Sequence, residues 1–202
     1  MTKRNKLLVT ILCLACVLCA LVSGTIAWLI SASGPITNTF TPSNVKVELN
    51  EENKGVDYKF QMIPGKTYAK DPKVIVTTDI NCYVFVKVVK AGGNVTVGEQ
   101  TYGFDDFMTC AMADGWVALD GVEGVYYREV TTSTSAQPFY VLAGNNTYSN
   151  GIVTVNPTVT KDMMDALIAN TSEYPTLTFT AYAIQKEGFA DAAAAWAAIP
   201  NP

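Results

Sequence analysis

The chain has 202 residues, with 14 Lys and Arg, 18 Asp and Glu, five Cys and no His. The lack of His excludes a Ser-His-Asp triad, a Cys-His pair and a HExxH zinc site. Apolar residues make up 49% of the chain and charged residues 16%, which excludes a disordered chain of low hydrophobicity. The net charge of −4 disfavours nucleic acid or an anionic membrane surface as the main partner. The length suits one domain with a buried core.

The first 27 residues have the pattern of an export signal. Lys3, Arg4 and Lys6 form a basic start, an apolar run extends from Leu7 to Val22, and small residues follow in 23–27. This order of a basic end, an apolar stretch and small residues is typical of a secretory signal peptide. We therefore predict that this segment directs the chain across a membrane.

The small residues also predict where a signal peptidase would cut. Thr25 and Ala27 fit the −3 and −1 positions, which places cleavage between Ala27 and Trp28. A second acceptable position follows Ala32.

Two alternatives to a cleaved signal remain. Residues 7–30 are long enough for a retained membrane anchor, since a spanning helix needs about 20 residues. A lipoprotein modified at Cys16 is less well supported, because Cys13-Leu14-Ala15 fits the usual lipobox poorly.

Past residue 33 the hydrophobic pattern mostly has a period of two, which predicts β-strands. The clearest alternations lie in Asn44–Asn50 and Thr176–Ala183. Cys82–Val89 has apolar side chains on both faces, so we expect a central strand that is covered on both sides. The other predicted strands are Asp57–Met62, Lys73–Thr77, Trp116–Leu119, Val125–Val130, Phe139–Leu142 and Ile152–Val155.

Two segments predict helices. Lys161–Asn170 has apolar residues at helical spacing, with Thr160 as the N-cap. Gly188–Ile199 carries a run of alanines, which are the best helix formers, and Pro200 ends it. The predicted apolar stripe of this second helix consists of Phe189, Ala193, Trp196 and Ile199.

Together these elements predict an all-β protein, an antiparallel β-sandwich with one or two short helices after an N-terminal hydrophobic helix. We expect three parts in the chain. Residues 1–27 are the signal peptide, or an anchor that reaches residue 30, residues 28–50 are an N-terminal arm with the first strand, and residues 51–202 are the sandwich with its C-terminal helix.

Two cysteines, Cys82 and Cys110, remain after the predicted cleavage. In an exported protein, two such cysteines can form a disulfide. The alternative is two buried free thiols, because Cys packs well as a small apolar residue.

Five acidic residues lie close together in the sequence and could gather around a hard cation such as Ca²⁺. They are Asp105, Asp106, Asp114, Asp120 and Glu123. Their spacing matches no known Ca²⁺ loop, so solvated carboxylates in turns are the simpler interpretation. We predict no catalytic residue, no metal ligand and no cofactor.

Several short motifs resemble the TasA/camelysin family of secreted proteins from Gram-positive bacteria. The motifs are Ser23–Trp28, Asn38–Thr41, Val45–Leu49, Ile63–Lys66, Lys73-Val74, Cys82–Val86, Gly115-Trp116, Val125–Tyr127, Ala181–Gln185 and Ala195-Trp196. They are spread over nearly the whole chain, although each is short and none is catalytic.

The resemblance implies a jelly-roll sandwich, processing by a dedicated signal peptidase, and a place in the extracellular matrix or on the cell surface. Relatives in this family polymerise into biofilm fibres in which the N-terminal strand of one subunit adds to the sheet of the next. The residues here that match this donor strand are Ile36, Phe40, Val45, Val47 and Leu49. From the residues alone, Val45–Leu49 can equally be an ordinary first strand of its own subunit.

We therefore expect a non-enzymatic, secreted structural protein that self-associates into fibres or matrix and contacts other envelope or matrix proteins. Its membrane contact would be limited to the N-terminal segment before cleavage by signal peptidase, and no nucleic-acid partner is expected. A cell-surface binding module or adhesin is the alternative, and a secreted protease is a weaker one. Some camelysin relatives are described as metalloproteases, but that role does not carry over to a chain without His.

Overall fold

The structure is a computed structural model that describes residues 3–29, 44–51 and 60–202. The chain divides into two compact units, Met1–Thr41 and Pro42–Pro202. The first unit contains helix α1, Lys3–Leu29, whose side chains are described as far as residue 17 and are exposed up to that point. Among the residues that the structure describes, no helix is both long and apolar enough to cross a membrane.

The second unit consists mainly of antiparallel β-strands. They are β1 Val45–Glu51, β2 Thr67–Ala69, β3 Pro72–Thr78, β4 Cys82–Ala91, β5 Val95–Val97, β6 Gln100–Tyr102, β7 Met108–Thr109, β8 Val117–Ala118, β9 Val125–Val130, β10 Ser133–Tyr140, β11 Ile152–Val155 and β12 Thr176–Gln185. The short helices are α2 Phe104–Phe107, α3 Lys161–Ala169, α4 Ala192–Ala197 and a 3₁₀ turn at Thr171–Glu173. The prediction of a mostly antiparallel β protein with short helices is confirmed.

Two of the sheets face each other across one hydrophobic core. The first sheet has the strand order β1-β3-β10 and the second has the order β12-β4-β9-β8. Their shared core includes Val74 and Val76 of the first sheet with Val84 and Val86 of the second. Two smaller sheets, β2-β11-β7 and β5-β6, lie beside this pair.

Strand β4 is central, as its sequence predicts. It pairs with β12 on one side and with β9 on the other. Val84 and Val86 face the core between the sheets, while Tyr83 and Phe85 face the opposite side, and all four are buried. Val89 is 42% exposed, so coverage of both faces stops before the strand ends.

Helix α4 covers the outer face of the second sheet. The Trp196 ring lies with its centroid 5.2 Å from that of Phe85 and 5.4 Å from that of Tyr182. Ala192 and Ala195 are buried in the same cluster. The small alanines let the helix approach the sheet closely enough for Trp196 to reach these rings.

The helix predicted at Gly188–Ile199 is shorter in the structure. It begins after Asp191, whose carboxylate accepts a hydrogen bond from the Ala194 backbone N–H at 2.8 Å. The predicted stripe placed Ala193 on the buried face, and this was wrong because Ala193 is exposed. Residues 192, 195 and 196 share a face instead, which is the helical i, i+3, i+4 spacing.

Other boundaries also differ from the predictions. Residues 60–62 of the predicted strand Asp57–Met62 are not in a strand, and residues 57–59 lie outside the described residues. The strand predicted at Phe139–Leu142 begins earlier, at Ser133, and ends at Tyr140. Strands β2, β5, β6 and β7 were not predicted, because an alternation of two or three residues is too short to recognise.

Helix α3 confirms both its predicted position and its predicted cap. Met163 and Leu167 are buried against Phe107 and Val155. The Thr160 hydroxyl accepts a hydrogen bond from the Met163 backbone N–H at 3.3 Å. This bond satisfies one of the four backbone N–H groups that every helix start leaves without a partner.

Replacing Thr160 with Ala is expected to lower the free energy of unfolding by about 1 kcal/mol, because the helix loses this cap. Urea unfolding of the variant and of the parent protein measures the difference. Thr158→Ala is the matched control, since Thr158 is exposed just before the helix and its replacement should change stability by less than about 0.5 kcal/mol. Equal losses in the two variants would contradict the capping role.

Candidate interaction surface

Strand β1 stands at one end of the strand order of the first sheet. It pairs antiparallel with β3 along its full length, from Val45 opposite Thr78 to Glu51 opposite Pro72. Within the described parts of the chain, no other strand pairs with β1. The strand predicted at residues 44–50 is therefore present, and it completes the sheet of its own subunit.

The side chains of β1 alternate as the sequence predicts. Val45 and Val47 are half-buried against the core between the sheets. Leu49 continues this row but is 38% exposed. Lys46 and Glu48 are exposed and form an ion pair of 2.5 Å with each other. The apolar row of β1 is thus only partly covered.

Contacts at both ends hold β1 in place. At the start, the Asn44 backbone N–H donates to Asp79 Oδ1 at 2.8 Å, and the Asp79 backbone N–H donates to the Asn44 carbonyl at 3.3 Å. At the end, Lys70 Nζ donates to Glu51 Oε2 at 2.6 Å, and these side chains are only 13% and 7% exposed. A buried ion pair contributes mainly to the register of the pairing, because desolvation offsets much of its attraction.

Glu51 is not fully satisfied by this pairing. Among the described residues, its Oε1 atom has no hydrogen-bond partner although it is buried. Burying a carboxylate costs desolvation free energy, and for Glu51 the attraction of Lys70 offsets that cost.

Strands β1 and β12 border the same side of the sandwich, which we call the open side. Their Cα atoms come within 8 Å of each other, and among the described residues each is the outermost strand of its own sheet. The inward side chains of β12 include Leu177 and Phe179, which are only half-buried. The inward Val84 and Val86 of the neighbouring β4 are fully buried. The core is therefore thinly covered along the open side.

The opposite side, bordered by β8, β9 and β10, is protected by an inward-facing Arg, and we call it the guarded side. Arg128 of β9 lies opposite Val84 of β4, so both side chains are on the inner face. The Arg128 guanidinium carbon is 4.0 Å from the Phe139 ring centroid and 5.2 Å from that of Trp116. Burial lowers the pKa of Arg128 from its ordinary value, and the aromatic rings provide cation–π attraction in place of water.

The backbone of the guarded side is irregular as well. Pro138 of β10 cannot donate to a ladder, and the pairing of β10 with β3 shifts register between Ser133 and Gln137. Strand β8 is only two residues long. Inward charges, prolines, bulges and short strands are the devices by which natural sheets avoid pairing at their edges.

The remaining predicted site residues fall partly outside the described residues. Ile36 and Phe40 of the predicted donor strand lie in the undescribed segment 30–43. Ala27 and Trp28 lie in helix α1, beyond the last described side chain at residue 17. The cleavage position therefore stays a prediction.

Cys82 and Cys110 are free thiols in the structure, and the fold keeps them apart. Cys82 is the first residue of β4, while the charge of Lys90, near the other end of β4, acts on Cys110. The eight residue-to-residue steps from Cys82 to Lys90 span roughly 26 Å in an extended strand. A disulfide needs Cα atoms within about 7 Å. Of the two alternatives that the sequence leaves open, the structure therefore has the free thiols and not the disulfide.

Burial raises the pKa of both the Cys82 and the Cys110 thiols. The thiolate is the reactive form, so a raised pKa leaves little of it at neutral pH. We expect iodoacetamide to label the folded protein slowly, and Cys82 more slowly than Cys110 because Cys82 is fully buried. Mass spectrometry of folded and urea-unfolded samples measures both rates, and Cys82 labelling as fast in the folded as in the unfolded protein would contradict this.

The acidic residues considered for Ca²⁺ have separate structural roles. Asp105 accepts a hydrogen bond from Lys90 Nζ at 2.6 Å, which raises the pKa of Lys90. Asp106 accepts one from the Gly103 backbone N–H at 2.8 Å. The other three, Asp114, Asp120 and Glu123, lie in turns. In the described ranges, no group of three or more metal-ligating side chains comes together.

A concave surface lies between α3, β2 and the start of β12. It is a groove of about 730 Å³ with a mainly apolar lining. Residues that line it include Phe60, Tyr68, Met108, Met164, Tyr174 and Leu177. Sites that bind small molecules have similar volumes and similarly apolar linings.

Sequence reasoning missed the contacts that hold β1 and the Arg on the guarded side. Lys70 lies between β2 and β3, and its pairing with Glu51 is a long-range contact that no local pattern indicates. Arg128 had a local signal, because the alternation in Val125–Val130 puts it on the same face as Tyr126 and Val130. That face is the inner one in the structure, but Glu129 puts a charge on the other face as well, so the alternation alone does not tell which of the two charges points inward.

No protein-family model matches the chain, and neither a curated protein nor a solved structure shows significant similarity to it. The similarity to secreted matrix proteins therefore depends on the short motifs alone. The geometry of the two sandwich edges is the firmest basis for a functional proposal.

Proposed function

We propose that the protein is a secreted or cell-surface structural subunit, of the matrix or fibre type, that self-associates through its N-terminal residues. The observation that carries the proposal is the position of β1. In the part of the chain that the structure describes, it is the first strand of the sandwich and an edge strand of its sheet, and its apolar row is half-covered. A strand at such an edge recruits further strands, because backbone hydrogen bonds supply affinity and alternate side chains supply specificity.

The finer parts of the proposal follow the sequence motifs. We assign the sandwich to the jelly-roll type and the segment up to Ala27 to an export signal. The partners would be further copies of this chain and other envelope or matrix proteins. The two facing antiparallel sheets are compatible with that fold type. The chain works by adhesion between surfaces and not by bond-making chemistry.

The test compares two purified proteins by negative-stain microscopy and analytical ultracentrifugation. One begins at Trp28 and keeps the whole N-terminal arm, and the other begins at Asn50 and lacks most of β1. The core of the second unit lies within residues 42–202, so the longer protein contains the complete sandwich. We expect the longer protein to form filaments or larger species as its concentration rises.

The shorter protein should stay monomeric and should bind a synthetic peptide of residues 28–50, which replaces the missing strand in trans. Two outcomes oppose the proposal. One is a longer protein that remains monomeric at every concentration, and the other is a shorter protein that self-associates equally well.

The apolar groove favours a second candidate, a binding module on the cell surface. Ile168 is one of the residues that line it and is largely exposed. An apolar fluorescent dye should bind in the groove, and Ile168→Asp should weaken that binding. Ile63→Asp is the control, because Ile63 is also exposed but does not line the groove. A monomeric protein whose dye binding is lost only in Ile168→Asp would support this second candidate.

A further inference from the structure

The groove between α3, β2 and the start of β12 exposes apolar side chains that the sandwich does not cover. Ile168, which lines it, is 63% exposed, more than any other large apolar side chain in the described part of the second unit. Tyr174 also lines the groove and is 46% exposed. Exposed apolar surface that gathers in one concave place is typical of a binding site.

The interior of the groove suits a flexible apolar chain. Met108 and Met164 line it, and methionine side chains adapt to irregular shapes because they are unbranched and polarizable. The rest of the lining is mainly apolar, so it offers few side chains that could pair with polar groups of a ligand. A ligand with polar groups along its whole length would leave many of them buried and unpaired, which costs free energy.

One end of the groove carries a positive charge. Lys66 Nζ lies 4.9 Å from the ring centroid of Tyr68, which lines the groove. Among the described residues no carboxylate pairs with Lys66, whereas Lys70 and Lys90 each form an ion pair. The described lining of the groove contains no Asp or Glu. The electrostatic field at this end therefore favours an anion over a cation.

We propose that the groove binds an amphiphile with a single apolar tail and an anionic head group such as a carboxylate. The tail lies against Met108, Met164 and Ile168, and the head group contacts Lys66 Nζ. The volume of about 730 Å³ holds a ligand of small-molecule size. This inference rests on the second candidate function, for which it names the class of ligand, and it does not require self-association.

The first test compares probes of equal chain length and different charge in the protein that begins at Trp28. This protein lacks the apolar run of residues 7–22, which could itself bind amphiphiles. Decanoate and the decyltrimethylammonium cation each compete with the neutral dye N-phenyl-1-naphthylamine. We expect decanoate to displace the dye at a concentration at least roughly fivefold lower than the cation, the ratio that one exposed ion pair can supply. Equal potency of the two probes, or a preference for the cation, would overturn the proposal.

Replacing Lys66 with Gln tests the contact with the head group. The change should raise the decanoate concentration needed by roughly fivefold and leave that of neutral 1-decanol unchanged, because only decanoate carries a charge. Lys186→Gln is the matched control, since Lys186 Nζ also lies over a tyrosine ring, 5.5 Å from the Tyr83 centroid, but outside the groove. Decanoate binding that changes equally in both variants, or in neither, would contradict the assigned contact.

The second test locates the tail without a substitution in the groove. The methionine methyl groups are labelled with ¹³C, and decanoate is added until its binding saturates. The NMR resonances of Met108 and Met164 should shift, while that of Met112, which does not line the groove, should stay in place. Unchanged resonances of Met108 and Met164, or an equal shift at Met112, would refute the assigned position of the tail.

Failure of the ligand class can be told from failure of the groove itself. If the dye does not bind, or binds equally well to Ile168→Asp, the second candidate function fails together with this proposal. If the dye binds in the groove but Lys66→Gln leaves decanoate binding unchanged, only the assignment of an anionic ligand fails. The proposed structural role is unaffected in both cases, because it depends on β1.

Discussion

Replacing Lys70 with Met is expected to lower the free energy of unfolding by about 3–5 kcal/mol, because it leaves the buried Glu51 carboxylate without its cation. Lys70 Nζ is 2.6 Å from Glu51 Oε2, and the two side chains are 13% and 7% exposed. Among the described residues, the second Glu51 oxygen has no hydrogen bond that could replace the lost contact. Urea unfolding at neutral pH measures the loss.

Two further variants distinguish a buried ion pair from simple packing. Lys70→Met combined with Glu51→Leu should recover most of the stability, since replacing both ions with apolar residues is often neutral or better. Lys46→Met is the control, because its ion pair with Glu48 is exposed and should contribute no more than about 1 kcal/mol. If Lys70→Met lowered the free energy of unfolding no more than Lys46→Met does, the ion pair between Lys70 and Glu51 would not hold the end of β1 in place.

The loss should be concentrated at β1. With Lys70 replaced, the backbone amides of residues 45–51 should exchange with deuterium faster than in the parent protein, while those of β4 change little. This pattern would show that the ion pair holds β1 on its own sheet.

The second large effect is expected at Phe85. Replacing Phe85 with Ala should lower the free energy of unfolding by about 3–5 kcal/mol, because a fully buried ring is lost and a cavity remains. The Phe85 ring lies 5.2 Å from Trp196 and 6.2 Å from both Tyr83 and Tyr127, measured between ring centroids. It therefore joins α4 to the outer face of the second sheet.

Thermal or urea unfolding measures this loss, and Tyr148→Ala is the control. Tyr148 is an exposed aromatic residue in a turn, so its replacement should change stability by less than about 0.5 kcal/mol. Phe85→Leu should fall between the two, since it keeps part of the buried volume. A Phe85→Ala variant as stable as Tyr148→Ala would mean that α4 does not pack on the sheet through this residue.

The elements with strong local patterns were predictable from the sequence. Strands β9 and β11 have the predicted boundaries, and α3 begins at the predicted Thr160 cap. In each case the spacing of the apolar residues and the residues at the ends of the element are local properties of the sequence. The strand ends at Ser133 and Gln185 and the very short strands were missed, because neighbours in space, not in sequence, define them.

The candidate surface was only half predictable for the same reason. The alternation at 44–50 predicts a strand, but it cannot tell which strand pairs with it. Three features depend on long-range contacts: β1 pairs with β3, β12 is an edge strand among the described residues, and Arg128 lies on the inner face of the opposite side. The contribution of Ile36 and Phe40 stays a prediction, because these residues lie outside the described part of the chain.

Hydrogen–deuterium exchange of β1 tests the central claim most directly. The protein that begins at Trp28 is compared as a dilute monomer and at a concentration where it has self-associated. We expect the peptide covering Val45–Glu51 to become protected on association, while the peptide covering Ser133–Tyr140 on the guarded side does not. Self-association without added protection at β1, or with equal protection at both edges, would contradict the proposed function.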